Sequence, residues 1–239
     1  INGWEFSVEG YYKDMRNVLE YKDGVSFFGS SSGWENKVEM GKGRSAGIEF
    51  MAQKTAGKTT GWLSYTLSKS DRKFTKGGIN NGEWFPYKYD RRHSINLTIN
   101  HKFSDRIDIG ASWVFYTGGT STIPEEKTTV IRPHNGANNG FLWYGTYDNT
   151  NSSPTIGDVS YIEHRNNFRL PASHRLNLGV NFNKKTKHGM RTWNISLYNA
   201  YNAMNPAWVY RGHNKQGLSV IKKYTLLPLI PSFTYTYKF

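Results

Sequence analysis

The sequence predicts an all-β, membrane-spanning antiparallel barrel wall. Three observations carry that prediction. One face of eight short stretches is uncharged at every second position, the opposite face is Asn-, Ser-, Thr- and Gly-rich, and aromatic rings gather at the stretch ends. The uncharged positions begin with Trp4-Phe6-Val8-Gly10-Tyr12, Ala46-Ile48-Phe50-Ala52, Gly61-Leu63-Tyr65-Leu67 and Ile95-Leu97-Ile99-His101-Phe103. They continue with Ile107-Ile109-Ala111-Trp113-Phe115, Leu176-Leu178-Val180-Phe182, Trp193-Ile195-Leu197-Asn199-Tyr201 and Phe233-Tyr235-Tyr237-Phe239. These thirty-six residues include no Lys, Arg, Asp or Glu, although 21% of the chain is charged and about seven or eight charges would fall there by chance. The phase is free in each stretch, which flatters the contrast somewhat. Between them stand Glu5, Ser7 and Glu9; Glu49 and Gln53; Ser64, Thr66 and Ser68; Ser94, Asn96, Thr98 and Asn100. Asn177 and Asn181, Asn194 and Ser196, and Thr234, Thr236 and Lys238 complete that polar set. A period of two means strands, and a large apolar face opposite a wet one is the pattern of a transmembrane barrel.

A soluble sandwich also alternates, with its apolar faces packed on each other. Span length argues against it. The stretches cover roughly seven to nine residues and extend at their ends, close to the nine to eleven or so that a tilted strand needs to cross a bilayer. Soluble strands more often have about five or six. The wet face also lacks the Lys and Glu that coat soluble sheets. Aromatics form 15% of the chain, and rings at both ends of spans make interfacial girdles.

Composition narrows the function. No run approaches 18 apolar residues, which excludes helical spans. The mean hydropathy of −0.67 is compatible with a barrel, because half of each strand and every loop is polar. The absence of cysteine removes disulfides, thiolate metal sites and thiol catalysis. The net charge of +13 attracts anions. The basic residues are scattered over turns and loops without a recognition helix or finger spacing, so nucleic acid is not the expected partner. Outer-membrane lipid and lipopolysaccharide phosphates at the outer rim are. Ile1 already stands inside the alternation, with no signal peptide before it. The expectation is a piece of a longer exported protein.

Connections alternate between short and long. Compact turns fall at Thr55 to Lys58, Ser104 to Arg106 and Lys184 to Gly189. Long connections run from about Lys13 to Arg44, Lys69 to Arg92, Thr117 to His174 and Asn202 to Lys223. Outer-membrane barrels keep short turns in the periplasm and long loops outside, so a periplasmic C-terminus puts all four long loops outside the cell. The longest carries Gly118-Gly119, Asn138-Asn139-Gly140, Phe141, Trp143, Tyr144, Tyr147 and the polar run Asp148 to Ser153. It is too long for an idle connection. Its aromatics either stack on a flat ligand or pack the loop onto its neighbours, and packing is the favoured reading.

Three stretches go beyond pattern. Leu226 to Phe239, with aromatics at alternate places and a terminal Phe, resembles the last strand of TonB-dependent outer-membrane receptors. Trp193 to Pro206, ending in spaced Asn residues and Asn205-Pro206, resembles that family's penultimate strand. Pro86 to Leu97 resembles its Asp-x-Arg-His approach to a strand, with Asp90, Arg92 and His93 in the fixed places and Arg91 in the variable one. The resemblance covers essentially the whole chain. It implies that residues 1–239 are about eight strands forming the C-terminal part of a larger barrel of about 22 strands with a plugged lumen. It further implies partners absent from this sequence: the protein's own plug domain, TonB and the barrel assembly machinery. The location implied is the outer membrane of a Gram-negative cell.

Other chemistry finds little support. His93, His101, His134, His164, His174, His188 and His213 have no ligand spacing, and no metal or cofactor is expected. His101 reads as interfacial, and His93 and His174 as structural. His164, Arg165 and Arg169 could meet an anionic ligand. Gly41-Lys42-Gly43-Arg44 precedes a strand and forms no phosphate loop. Glu5, Glu9 and Glu49 face the lumen and are not expected to be catalytic. Asn96-Leu97-Thr98 and Asn194-Ile195-Ser196 match the glycosylation pattern but lie within strands.

The expected function is capture of a small scarce ligand outside the cell and its import with energy from the inner membrane, without enzymatic activity. The loop candidates for ligand contact are Trp84, Tyr87, Tyr89, Trp143, Tyr144, Tyr147 and Arg165. Phe233, Tyr235, Tyr237 and Phe239 are the expected assembly signal. A self-contained eight-stranded barrel with an adhesin or structural role is the alternative, and a soluble sugar- or nucleic-acid-binding β domain is a third. The ligand's identity stays open among siderophore, haem, cobalamin, glycan and peptide.

Overall fold

The computed structural model describes residues 3–23, 33–76, 78–132 and 155–239, of which 126–132 and 155–160 by backbone alone. Strand follows strand along the chain: β1 (Trp4–Tyr21), β2 (Val38–Lys54), β3 (Thr59–Lys73), β4 (Phe85–Pro86), β5 (His93–Lys102), β6 (Ile107–Tyr116), β7 (Thr120–Ser121) and β8 (Glu126–Arg132). Then come β9 (Thr155–Tyr161), β10 (Phe168–Arg169), β11 (Ser173–Thr186), β12 (Gly189–Tyr198), β13 (Pro206–His213), β14 (Ser219–Thr225) and β15 (Ile230–Lys238). Eight of them make one antiparallel meander in the order β1-β2-β3-β5-β6-β11-β12-β15. Among the described residues β1 pairs only with β2 and β15 only with β12.

The register puts the uncharged positions on one side of this sheet. Leu63 stands between Ala52 and Leu97. Leu97 also faces Trp113, and Trp113 faces Leu176. Leu178 stands between Ala111 and Leu197, and Trp193 between Phe182 and Tyr235. This face is uncovered: Phe6 is 60% exposed, and Val8 and Tyr12 are 70% exposed. Among the described residues only Phe74, Ile79 and Phe85 are buried apolar side chains. Three residues cannot hold a chain of this length together in water, where burial of apolar area is the dominant favourable term. Hydrocarbon must cover the outer face.

The opposite face is stitched by polar side chains. Asn181 and Asn183 each donate to the Asp108 carboxylate, at 2.6 and 2.7 Å. Asn194 donates to Asn181, and Thr192 to Asn183, both at 2.7 Å. Amide and hydroxyl groups thus satisfy one another and the Asp108 carboxylate along the wall.

Strand boundaries differ from the sequence expectation where the membrane ends. The uncharged face stops near Tyr12 and Ala46, but β1 runs to Tyr21 and β2 starts at Val38. Half of the expected Lys13–Arg44 loop is therefore strand. Charged side chains are welcome once the strand leaves lipid, and the backbone pairing continues regardless. Two other expected loops hold hairpins of their own, β8–β9 and β13–β14. In the other direction β12 ends at Tyr198, because Asn199 turns to φ 53°. Asn tolerates that left-handed conformation better than most residues. Asn17, at φ 57°, makes a bulge between Arg16 and Val18. The bulge turns Val18 inward, where it packs against the Phe74, Ile79 and Phe85 cluster. Gly41 opposite is required there: a Cβ would lie 2.4 Å from the Phe74 ring.

Candidate functional site: the outer mouth of the wall

The long-loop ends of the strands carry the charged chemistry. Asp90, in the turn before β5, is 1% exposed. Its carboxylate accepts from the Ser70 backbone at 2.7 Å, from Arg92 at 3.1 Å and from Arg169 at 2.6 Å. Arg169 also donates to the Asp90 and Gly118 carbonyls. Arg165 donates to Asp23 at 2.6 Å, Glu20 at 3.3 Å and the Tyr21 carbonyl at 2.8 Å, while its backbone amide meets Asn80. Asn166 donates to the Pro86 carbonyl. Residues 165–169 thus strap the end of the longest loop to β1 and to the connection between β3 and β5. The charges of Arg165 and Arg169, read in the sequence as open to an anion, are met inside the protein.

Three other arginines have no carboxylate partner among the described residues. Arg72 lies 3.8 Å over Tyr87, Arg91 3.9 Å over Tyr116, and Arg175 4.4 Å over Tyr198. Arg72, Tyr116, Arg175 and Tyr198 share the polar face by register. Stacking holds the guanidinium planes and leaves positive charge along the mouth. Nε of Arg72 and of Arg175 is buried without an acceptor among the described residues.

Beside Arg91 lies a half-open cavity of about 450 Å³, where three long connections converge. Lys88, Tyr89, Arg91, Tyr116 and Trp208 contribute its cations and rings. Tyr89 is 63% exposed and stands edge-on to Tyr87 at 5.3 Å. The arrangement suits a flat or anionic molecule: rings to stack on, ammonium and guanidinium to pair with.

The structure splits the loop candidates. Tyr87 and Tyr89 belong to this mouth. Trp84 covers Arg44 at 4.3 Å, on the outward side of β2. Arg165 is part of the strap. Trp143, Tyr144 and Tyr147 lie outside the described residues. Arg91, Tyr116 and Trp208 escaped sequence reading. Arg91 stood in a variable place, Tyr116 one residue past a stretch ending at Phe115, and Trp208 in what read as plain loop. Three of the histidines bond hydroxyls of neighbouring elements: His93 meets the Tyr65 hydroxyl and His174 the Tyr201 hydroxyl, each at 2.8 Å, and His101 meets Thr59 at 2.7 Å, while His134 lies outside the described residues. No group of three or more metal-type ligands occurs among the described residues.

A family model described as TonB dependent receptor-like, beta-barrel matches residues 2–203. The chain belongs to this TonB-dependent receptor-like β-barrel family. No match was found among curated proteins. Membership gives the chain a general receptor and transport role in the outer membrane. The family is one of transporters, not of enzymes. In outer-membrane barrels the long loops face outside, and by that rule the strand ends joined by long loops make the outer mouth of the wall.

Proposed function

We propose that the mouth captures a small scarce ligand outside the cell, and that the barrel passes it inward using energy delivered through TonB. The observation that carries this reading is the cavity of Lys88, Tyr89, Arg91 and Trp208 at the outer end of the polar face. Tyr87 and the loop residues Trp143, Tyr144 and Tyr147 are further contacts in this reading.

Residues 1–239 act as the C-terminal part of a larger barrel around the protein's own plug. The sides of β1 and β15 that have no partner strand among the described residues support this, because a strand edge left open in lipid costs several kcal/mol per unmet group. Phe233, Tyr235, Tyr237 and Phe239 present the last strand to the assembly machinery. The test of ligand capture is uptake and surface abundance measured in the same cells. Arg91→Ala and Trp208→Ala should each abolish uptake at unchanged surface abundance. Normal uptake by both variants rejects the mouth as the capture site.

A further inference from the structure

The outward face changes character above the apolar band. Tyr12, Ala46 and Lys69 lie in one row across β1, β2 and β3. The next row outward is Asp14, Arg44 and Asp71, with the cation between two carboxylates. Arg44 reaches Asp71 at 3.0 Å, and Lys69 joins the same carboxylate at 3.4 Å. The row after that is Arg16, Lys42 and Lys73, directly opposite one another with Lys42 in the middle. Arg16 touches Asp14 at 3.6 Å. Lys42 and Lys73 have no carboxylate within 4.0 Å among the described residues.

Like charges placed directly opposite on neighbouring strands destabilise a sheet. A compensated row beneath one in which Arg16 has a carboxylate contact and Lys42 and Lys73 have none among the described residues therefore asks for an anion from outside. Position narrows the anion. The row shares its side of the sheet with Ile48, Phe50 and Leu67, which meet lipid, and it follows them by a few residues toward the outside. A lipid headgroup reaches that height without leaving the bilayer. Beyond the row, Leu19, Trp34 and Met40 help line a hollow of about 620 Å³. Lys22, Glu35, Asn36, Glu39 and Lys76 stand beside these apolar side chains, and a surface that offers both a ring to stack on and polar groups for hydroxyls suits a sugar, so a glycosylated headgroup fits better than a simple phospholipid.

We infer that Arg16, Lys42 and Lys73 form a binding site for the phosphates of lipopolysaccharide, with the first sugars resting against Trp34. The inference rests on the outer-membrane placement of the wall and is independent of ligand capture at the mouth.

The experiment titrates the full-length receptor in detergent, at about 0.15 M salt, with phosphorylated lipid A and with the same lipid stripped of phosphate. Arg16→Ser, Lys42→Ser and Lys73→Ser combined should weaken binding of phosphorylated lipid A about a hundredfold, since each cation near a charged surface contributes about a factor of five. A control with Lys184→Ser, Lys185→Ser and Lys187→Ser, at the opposite rim, should bind like wild type. Stripped lipid A should bind wild type no better than phosphorylated lipid A binds the triple variant. Unchanged binding by the triple variant, or equal loss by the control, overturns the site. Displacement by the same concentration of inorganic phosphate also overturns it, since the row would then be a free-anion site. Thermal unfolding in lipid-free detergent gives a second reading. Relief of repulsion should leave the triple variant's midpoint equal or higher, and a drop would make the row structural and overturn the inference.

Discussion

The mid-span wall and the outer mouth are held by different physics, although the same strands run through both. At mid-span Leu63, Leu97, Trp113 and Leu176 form a row whose partner is solvent hydrocarbon, and no individual contact is decisive. At the mouth, Asp90 holds Arg92, Arg169 and the Ser70 amide, and each partner is specific. The wall needs only the correct phase, which many sequences satisfy. The mouth needs particular side chains in particular places, and it is where ligands must be told apart.

The largest expected effect breaks the mouth and spares the wall. Removing one member of a buried ion pair costs about 3–5 kcal/mol, because the others stay behind uncompensated. Asp90→Ala leaves Arg92 and Arg169 facing each other with no carboxylate between. The receptor should still insert, but protease should cut the longest loop far faster than in wild type. Wild-type resistance in the inserted variant would show that the strap holds without Asp90.

Next in size is the wall itself. Leu97→Arg and Leu178→Arg should each lower folded stability by about 2–4 kcal/mol, the usual effect of a charge at the bilayer midplane. Thr98→Arg, one residue away on the polar face, should lose far less. Asn177 is a poorer control, because its side chain accepts the Asn199 amide at 3.2 Å and so supports the turn after β12. Equal losses at Leu97 and Thr98 would invert the face assignment.

These two regions were also unequally legible. The outward face could be read because period-two alternation survives any local choice of residue, and the cross-strand rows align it through eight strands; the reading fails at Asn199 and Tyr201, which lie past the end of β12, Asn199 being buried in the turn. The Asn-rich stretch after β12 was visible as a motif, and the structure supplies its reason. Asn199 bonds both backbone groups of Ala203 and the Leu227 carbonyl, Asn202 accepts from Leu229, and Asn205 exchanges two hydrogen bonds with His174. The mouth could not be read. Arg165 and Arg91 look alike in sequence, yet one is bound by Glu20 and Asp23 from 140-odd positions away and the other lies on Tyr116. Which arginine is spoken for depends on long-range pairing that no local pattern encodes.

A third test concerns the periplasmic end of β15. Trp193 stacks with Phe233 at 5.1 Å and meets the Tyr235 ring at a tilt at 4.5 Å, so those rings already belong to the folded girdle. Tyr237 makes a 3.4 Å contact with Thr186 and its ring lies 6.3 Å from that of Phe239, which is itself fully exposed. Tyr237→Ser with Phe239→Ser should therefore reduce the amount inserted while transport per inserted molecule stays constant. Insertion at wild-type level would remove the terminal rings as an assembly signal.

The smallest effect is expected at the turn between β5 and β6, where neither wall nor mouth physics applies. Asp105 accepts from Lys102 at 2.8 Å in full solvent. The hydrogen bond from Lys102 comes first, followed by the charges of Lys102 and Lys185, and together they hold the Asp105 carboxyl below its ordinary range. A depressed folded pKa means that the folded state binds its proton later than the unfolded state. The stabilisation is then fully present above the ordinary carboxylate range near pH 4 and fades as pH falls through that range toward the lower folded value. Both groups are exposed and screened, so the contribution is small at any pH. Asp105→Asn should unfold slightly more easily than the parent at pH 7 and indistinguishably from it in strong acid, as read by denaturant midpoints in detergent. A difference that grew on acidification would mean that Asp105 is held by something other than Lys102.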